Sequence, residues 1–183
     1  MSTNKVNVGT GNASGMFYSG AKSTALPAYP SATATGFAEV GAVSSDGIKW
    51  NTGRDSEPIK NWALETERVI SNGDGGSVTV PMLYTDQKGL ETIFGANNVT
   101  VTAATSSHGK LISVTVEPGV ASAPQAYMFK MKDGEDEIML GTTNGVITNL
   151  DEISFSPTDP IVYNITISAA SWTFMKDDGQ VTS

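Results

Sequence analysis

The sequence contains no cysteine at all, which excludes disulfides, thiolate metal sites and cysteine nucleophiles. Packing and association must hold the fold together. It has one histidine, His108, so a hydroxyl and imidazole catalytic scheme has a single place to be built. Charged residues are scarce at 16%, and basic ones are the minority: 11 Lys and Arg against 19 Asp and Glu give a formal charge of −8. That sign argues against a protein that grips nucleic acid, because such affinity comes largely from lysine and arginine on phosphates. No stretch approaches the roughly 18 apolar residues of a membrane span. The first 15 residues also lack the charged start and apolar run of a secretory signal, so the chain is expected to be cytoplasmic at synthesis.

What is abundant is Thr, Ser, Asn and Gly, a mixture that suits strands and turns better than long helices. A length of 183 residues fits one domain with arms. Residues 1–35 carry few large side chains beyond Met16, Phe17, Tyr18, Leu26 and Tyr29, with Pro27 and Pro30. Such a segment buries too little apolar surface to offset its ordering entropy, and reads as an extended arm that needs another surface.

From Gly36 onward, apolar and polar residues alternate in short runs, the mark of strands with one buried face. Val78, Val80, Met82 and Tyr84 share a face over 77–84. Ile112, Val114 and Val116 do so over 111–116, Tyr127, Phe129 and Met131 over 126–132, and Ile161, Tyr163, Ile165 and Ile167 over 161–169. Weaker candidates lie at 37–43, 62–70, 99–103, 137–141, 146–155 and 171–175. The stretch Asn72 to Gly76, Asp133-Gly134 and Asn144-Gly145 supply hairpin turn chemistry. One segment switches period: after Thr85 as N-cap, Leu90, Ile93 and Phe94 fall at helical spacing and Gly95 ends it, which predicts a helix over 86–94. The expected fold is mainly β, an antiparallel β-sandwich or barrel with one short flanking helix. It comprises an arm over 1–35, the sandwich over 36–175 and a tail over 176–183.

Candidate chemical sites are few. His108 sits in Ser106-Ser107-His108-Gly109, a polar loop pattern with no nucleophile elbow and no acid nearby. Lys132 to Glu137 concentrates carboxylates suited to a hard cation, but the spacing does not match an EF-hand loop, and a solvated hairpin tip is the plainer reading. Gly9 to Gly15 has the wrong spacing for a dinucleotide-binding turn. No catalytic residue, metal ligand or cofactor is therefore expected. Trp50, Trp62 and Trp172 read as core or interface anchors in preference to a sugar-stacking platform. The loop 51–61, bracketed by Trp50 and Trp62, has the length and charge of a functional loop.

The stretch Gly36-Phe37-Ala38-Glu39-Val40-Gly41-Ala42-Val43-Ser44-Ser45-Asp46-Gly47-Ile48 resembles a segment of the major tail tube proteins of long-tailed, non-contractile bacteriophages. Its surroundings fit: a Gly-rich arm with Phe17-Tyr18 and Ala25-Leu26-Pro27 precedes it. A tryptophan-bearing loop follows, then Thr66-Glu67-Arg68-Val69, Val78-Thr79-Val80 and Phe94-Gly95. The resemblance covers roughly residues 8 to 170. It implies a β-sandwich with a flanking helix, assembled as stacked hexameric rings around a channel for the genomic DNA, an architecture shared with the tube of type VI secretion. The implied setting is the virion tail, after assembly in the host cytoplasm. The implied partners are further copies, other tail proteins such as the tape measure and tail terminator, and DNA passing without specific binding; no membrane is involved.

On that resemblance, the loop 44–61 is expected to contact the adjacent ring, with Trp50, Arg54, Asp55, Glu57 and the bracketing Trp62. Glu65 and Glu67, which share one face of the expected strand 62–70 with Ala63 and Val69 beside them, are expected to face the lumen, where acidic walls repel DNA. Phe17, Tyr18, Leu26 and Pro27 are expected on an arm that touches other subunits. Two rival readings remain at the level of sequence: a monomeric carbohydrate-binding or adhesin-like sandwich, and a metal-assisted hydrolase built on the Asp133 to Glu137 cluster.

Overall fold

The computed structural model of the chain describes residues 10–11, 16–54, 56–60, 62–63, 66–71, 75–83, 85–116 and 122–178, and for 10–11, 56–60 and 66–71 the course of the backbone alone. Alternating sequence becomes thirteen strands among the described residues. They are β1 (Thr10–Gly11), β2 (Phe17–Ala21), β3 (Phe37–Gly41), β4 (Lys49–Asn51), β5 (Ser56–Lys60), β6 (Thr66–Ser71), β7 (Gly76–Met82), β8 (Val99–Thr102), β9 (Leu111–Val114), β10 (Gln125–Asp133), β11 (Asp136–Leu150), β12 (Tyr163–Ala169) and β13 (Thr173–Asp177). Among the described residues a single α-helix, α1 (Gln87–Phe94), lies between β7 and β8.

All the named pairings are antiparallel, and the main sheet runs β3-β2-β10-β11-β12-β7-β4. The order returns on itself. Beyond β3, Val43 bridges Met82 of β7, with Ser44 N donating to Pro81 O and Leu83 N to Ala42 O. The long strand β11 makes this curvature possible: its first half pairs with β13 and its second half with β12, along the same edge. A bulge between Ile147 and Asn149 lies in the second half. The core inside comprises Phe17, Val40, Val78, Val80, Met82, Tyr127, Phe129, Leu140, Ile147, Tyr163, Ile165 and Ile167. The mainly β, antiparallel architecture with one short helix is the one expected.

Helix α1 starts one residue later than its sequence signals suggest. Asp86, not Thr85, is the N-cap, and its carboxylate accepts from Gly89 N at 2.8 Å, as a stronger cap should. Gly95 ends the helix at φ 89° and ψ 139°, a positive φ but not the left-handed helical one. Leu90 and Ile93 drive into the core cluster, and the helix packs beside β3.

Three expectations need correction. The arm ends earlier than residue 35, because Phe17–Ala21 is an internal strand paired with both β10 and β3. Its single face of Phe17 and Ser19 suffices for burial once neighbours supply the rest of the core. Asn144-Gly145 is no turn: both residues lie within β11. A Cβ at Gly145 would sit 2.8 Å from Tyr127 Cδ2 and 3.0 Å from both Ile167 Cγ2 and Thr142 Cγ2, so the glycine serves close packing instead of reversal. The third is Val116, expected inside, which is exposed because β9 stops at Val114. Tyr84 lies outside the described residues.

Residues 22–35 cross the back of the same sheet. Tyr127, Phe129 and Leu140 point to the core, so Met128, Met139 and Gly141 point away from it, yet all three are buried. Leu26 lies against Gly141, where a Cβ would meet its Cδ2 at 2.7 Å. Lys130 Nζ donates to Ala32 O at 2.8 Å, and Ser23 N to Thr143 O at 2.8 Å.

Candidate assembly surface

Two hairpins stand apart from the main sheet as two-stranded sheets of their own, β5–β6 and β8–β9. An isolated two-stranded hairpin is marginal in water unless a further surface supports it. For β8–β9 that support is internal, since Val99, Ile112 and Val114 pack against the core. Between β5 and β6 stands Trp62, at 103% exposure as open to water as in a free peptide. An indole left so bare is the kind of anchor that interfaces use.

Trp50 behaves differently. It lies on β4, at the end of the sheet order, and stacks on Phe174 of β13 with ring centroids 6.2 Å apart and planes at 10°. Both rings are partly exposed, Trp50 at 39%. Arg54 is exposed just beyond β4. A groove of about 430 Å³ runs between them, lined by Trp50, Arg54, Gly53, Gly75 and Trp172. Its floor is tight: Gly53 adopts φ 66°, and a Cβ there would fall on Gly75 O. Trp172 is anchored by its indole N–H to Gly76 O at 2.9 Å. Trp62 does not line this groove, so the three tryptophans form no common platform.

The remaining expected site residues separate clearly. Asp55 and Glu65 lie outside the described residues, and Glu57 and Glu67 belong to β5 and β6, described as backbone. Glu67 falls at a bulge, because Thr66 pairs with Lys60 while Arg68 pairs with Ile59. Such a bulge interrupts the period of two on which a shared face for the two acids was argued. Phe17 is fully buried within its own chain and stacks on Phe129 at 4.8 Å. Pro27 is buried too. Neither side chain has surface left for another subunit. Tyr18, on the opposite side of β2 from Phe17, and Leu26 are half-buried. The Tyr18 hydroxyl is held above its ordinary pKa by partial burial first and by nearby Glu39 second.

The acidic hairpin tip between β10 and β11 is occupied by lysines. Buried Asp136 pairs with Lys176 of β13 at 3.1 Å, and Glu137 with Lys132 at 3.5 Å. Among the described residues no group of three or more His, Asp and Glu is placed to hold a metal. His108 is exposed and its Nδ1 lies 2.7 Å from Gly109 O, in a loop. No helix among the described residues is long and apolar enough to cross a membrane.

One feature was invisible in the sequence. Tyr127 is wholly buried, and among the described residues its hydroxyl has no hydrogen-bond partner. Burial raises its pKa well above the usual tyrosine value.

Against this geometry, the family model for phage tail tube protein matches residues 1–178. No curated protein matches the chain.

Proposed function

Since the chain belongs to the phage tail tube protein family, we propose that it polymerises as stacked hexameric rings around a channel through which genomic DNA passes during ejection. Membership makes it a structural component of the virion tail, of a family that is not enzymatic. It also displaces the sugar-binding and hydrolase readings. The partners in this proposal are further copies and other tail proteins such as the tape measure and tail terminator, joined in the host cytoplasm.

The observation that carries the reading is Trp62 bare on a hairpin that, among the described residues, forms no ladder with the main sheet. Identical copies are the surface such a family offers. A ring is a head-to-tail contact that closes on itself, so one projecting element and one receiving surface per chain suffice. In this reading the loop 44–61 and Trp62 meet the adjacent ring, while Glu65 and Glu67 face the lumen. A formal charge of −8 per chain multiplied around a ring disfavours adhesion of duplex DNA and favours sliding.

Cryo-electron microscopy of tubes assembled from the purified chain tests this. The expected result is sixfold rings, Trp62 buried against a neighbouring ring and acidic side chains on the inner wall. A different ring number refutes the hexamer; Trp62 left in solvent refutes the inter-ring role.

A further inference from the structure

Two other exposed features of the single chain are complementary in both charge and apolarity. The loop 151–162, between β11 and β12, carries Asp151, Glu152 and Asp159 and no basic residue. Phe155 stands near its middle, 77% exposed. Asp151 accepts a hydrogen bond from Asn149 Nδ2 and Asp159 one from Thr158 Oγ1, both neutral donors. Flanking side chains fix the loop from inside, with Ile153 and Ile161 packed against the core. Phe155 is therefore presented by a held loop.

The segment 96–116, containing β8 and β9, is the reverse: it carries Lys110 and His108 and no acid, in a chain with 19 acids. Register places Leu111 opposite Thr102 and Ser113 opposite Thr100, on the face turned away from the core residues Val99, Ile112 and Val114. Leu111 is 53% exposed. Lys110 Nζ donates to the neutral Gln87 Oε1 at 2.9 Å and so keeps its charge available. Phe155 and Leu111 both remain largely exposed within one chain, so their complementarity is not used intramolecularly.

We propose that the acidic Phe155 loop of one copy docks on the basic β8–β9 hairpin of the next, with Phe155 covering Leu111, and Lys110 facing the loop carboxylates. The proposal deepens the tail tube reading and rests on it, since it names a second copy as the occupant. Apolar contact supplies the main attraction, and opposite charge sets which surfaces meet.

The absence of native cysteine makes the test direct. A chain carrying both Phe155→Cys and Leu111→Cys, oxidised after tube formation has been confirmed by negative-stain microscopy, should run as a ladder of disulfide-linked oligomers, while each single variant should not. Contact distance is demanded by the bond itself. Lys110→Glu should lower assembly by about tenfold, and adding Glu152→Lys should restore most of it. Both sites are exposed, so the circular dichroism of each variant should match the parent. Tubes without a ladder, or charge reversals that change nothing, would overturn this interface and leave the tube reading intact. Failure of the unmodified chain to form tubes under any condition would sink both.

Discussion

Tyr127 shows what a single residue adds to the account. Its aromatic body fills the core beside Phe17, with centroids 6.0 Å apart, but its hydroxyl is buried without a partner among the described residues. An unsatisfied buried hydroxyl costs stability, so Tyr127→Phe is expected to stabilise the chain by about 1 kcal/mol in denaturant unfolding. The same group makes stability pH-dependent in a definite direction. Its folded pKa lies above the ordinary tyrosine value of 10.0, so only the unfolded chain ionises as pH rises through that value, and stability falls there. Unfolding midpoints at neutral and strongly alkaline pH should converge in Tyr127→Phe relative to the parent. Gly145 is the opposite case, a residue whose smallness is needed. Gly145→Ala should cost about 1–3 kcal/mol by overpacking against Tyr127 and Ile167. Sequence alone made Tyr127 legible as core, because alternation marks the face. It misassigned Gly145 because Asn-Gly is turn chemistry, and the crowding that keeps the pair in a strand comes from residues distant in sequence.

Among the elements, the strands with clean alternation were legible: β7, β10 and β12 each bury the face that their spacing indicates. What escaped were elements whose burial is two-sided or borrowed. β2 has a short glycine- and serine-rich sequence and becomes a strand because β10 and β3 flank it. The strap 22–35 reads as free arm, yet Leu26 lies against Gly141, Ser23 N bonds Thr143 O and Ala32 O holds Lys130. Leu26→Ala should therefore destabilise the chain by about 1–2 kcal/mol, whereas a free arm would leave the unfolding midpoint unchanged. The hairpin β5–β6 gives the contrasting prediction. Trp62→Ala removes no internal contact, so thermal unfolding of the single chain should not move, while tube formation followed by light scattering should fall by about tenfold or more. Equal unfolding and equal assembly in the variant would remove Trp62 from the interface.

For the whole molecule, the turn-rich pattern indicated a mainly β fold, the role of structural tail subunit came from the resemblance of 36–48 and its surroundings to tail tube proteins, and the family match over 1–178 agrees. The candidate site was half legible: aromatic loop residues could be singled out by type, but the pairing of Trp50 with Phe174, and the isolation of Trp62 from both, depend on which strands lie side by side. The account centres on one physical claim, that surfaces left open in the single chain are completed by further copies. Amide hydrogen exchange over residues 56–71, in the single chain and in the assembled tube, tests it most directly. A hairpin that gains its support from a neighbour should exchange quickly alone and about a hundredfold more slowly in the tube. Identical exchange in the two states would contradict the claim.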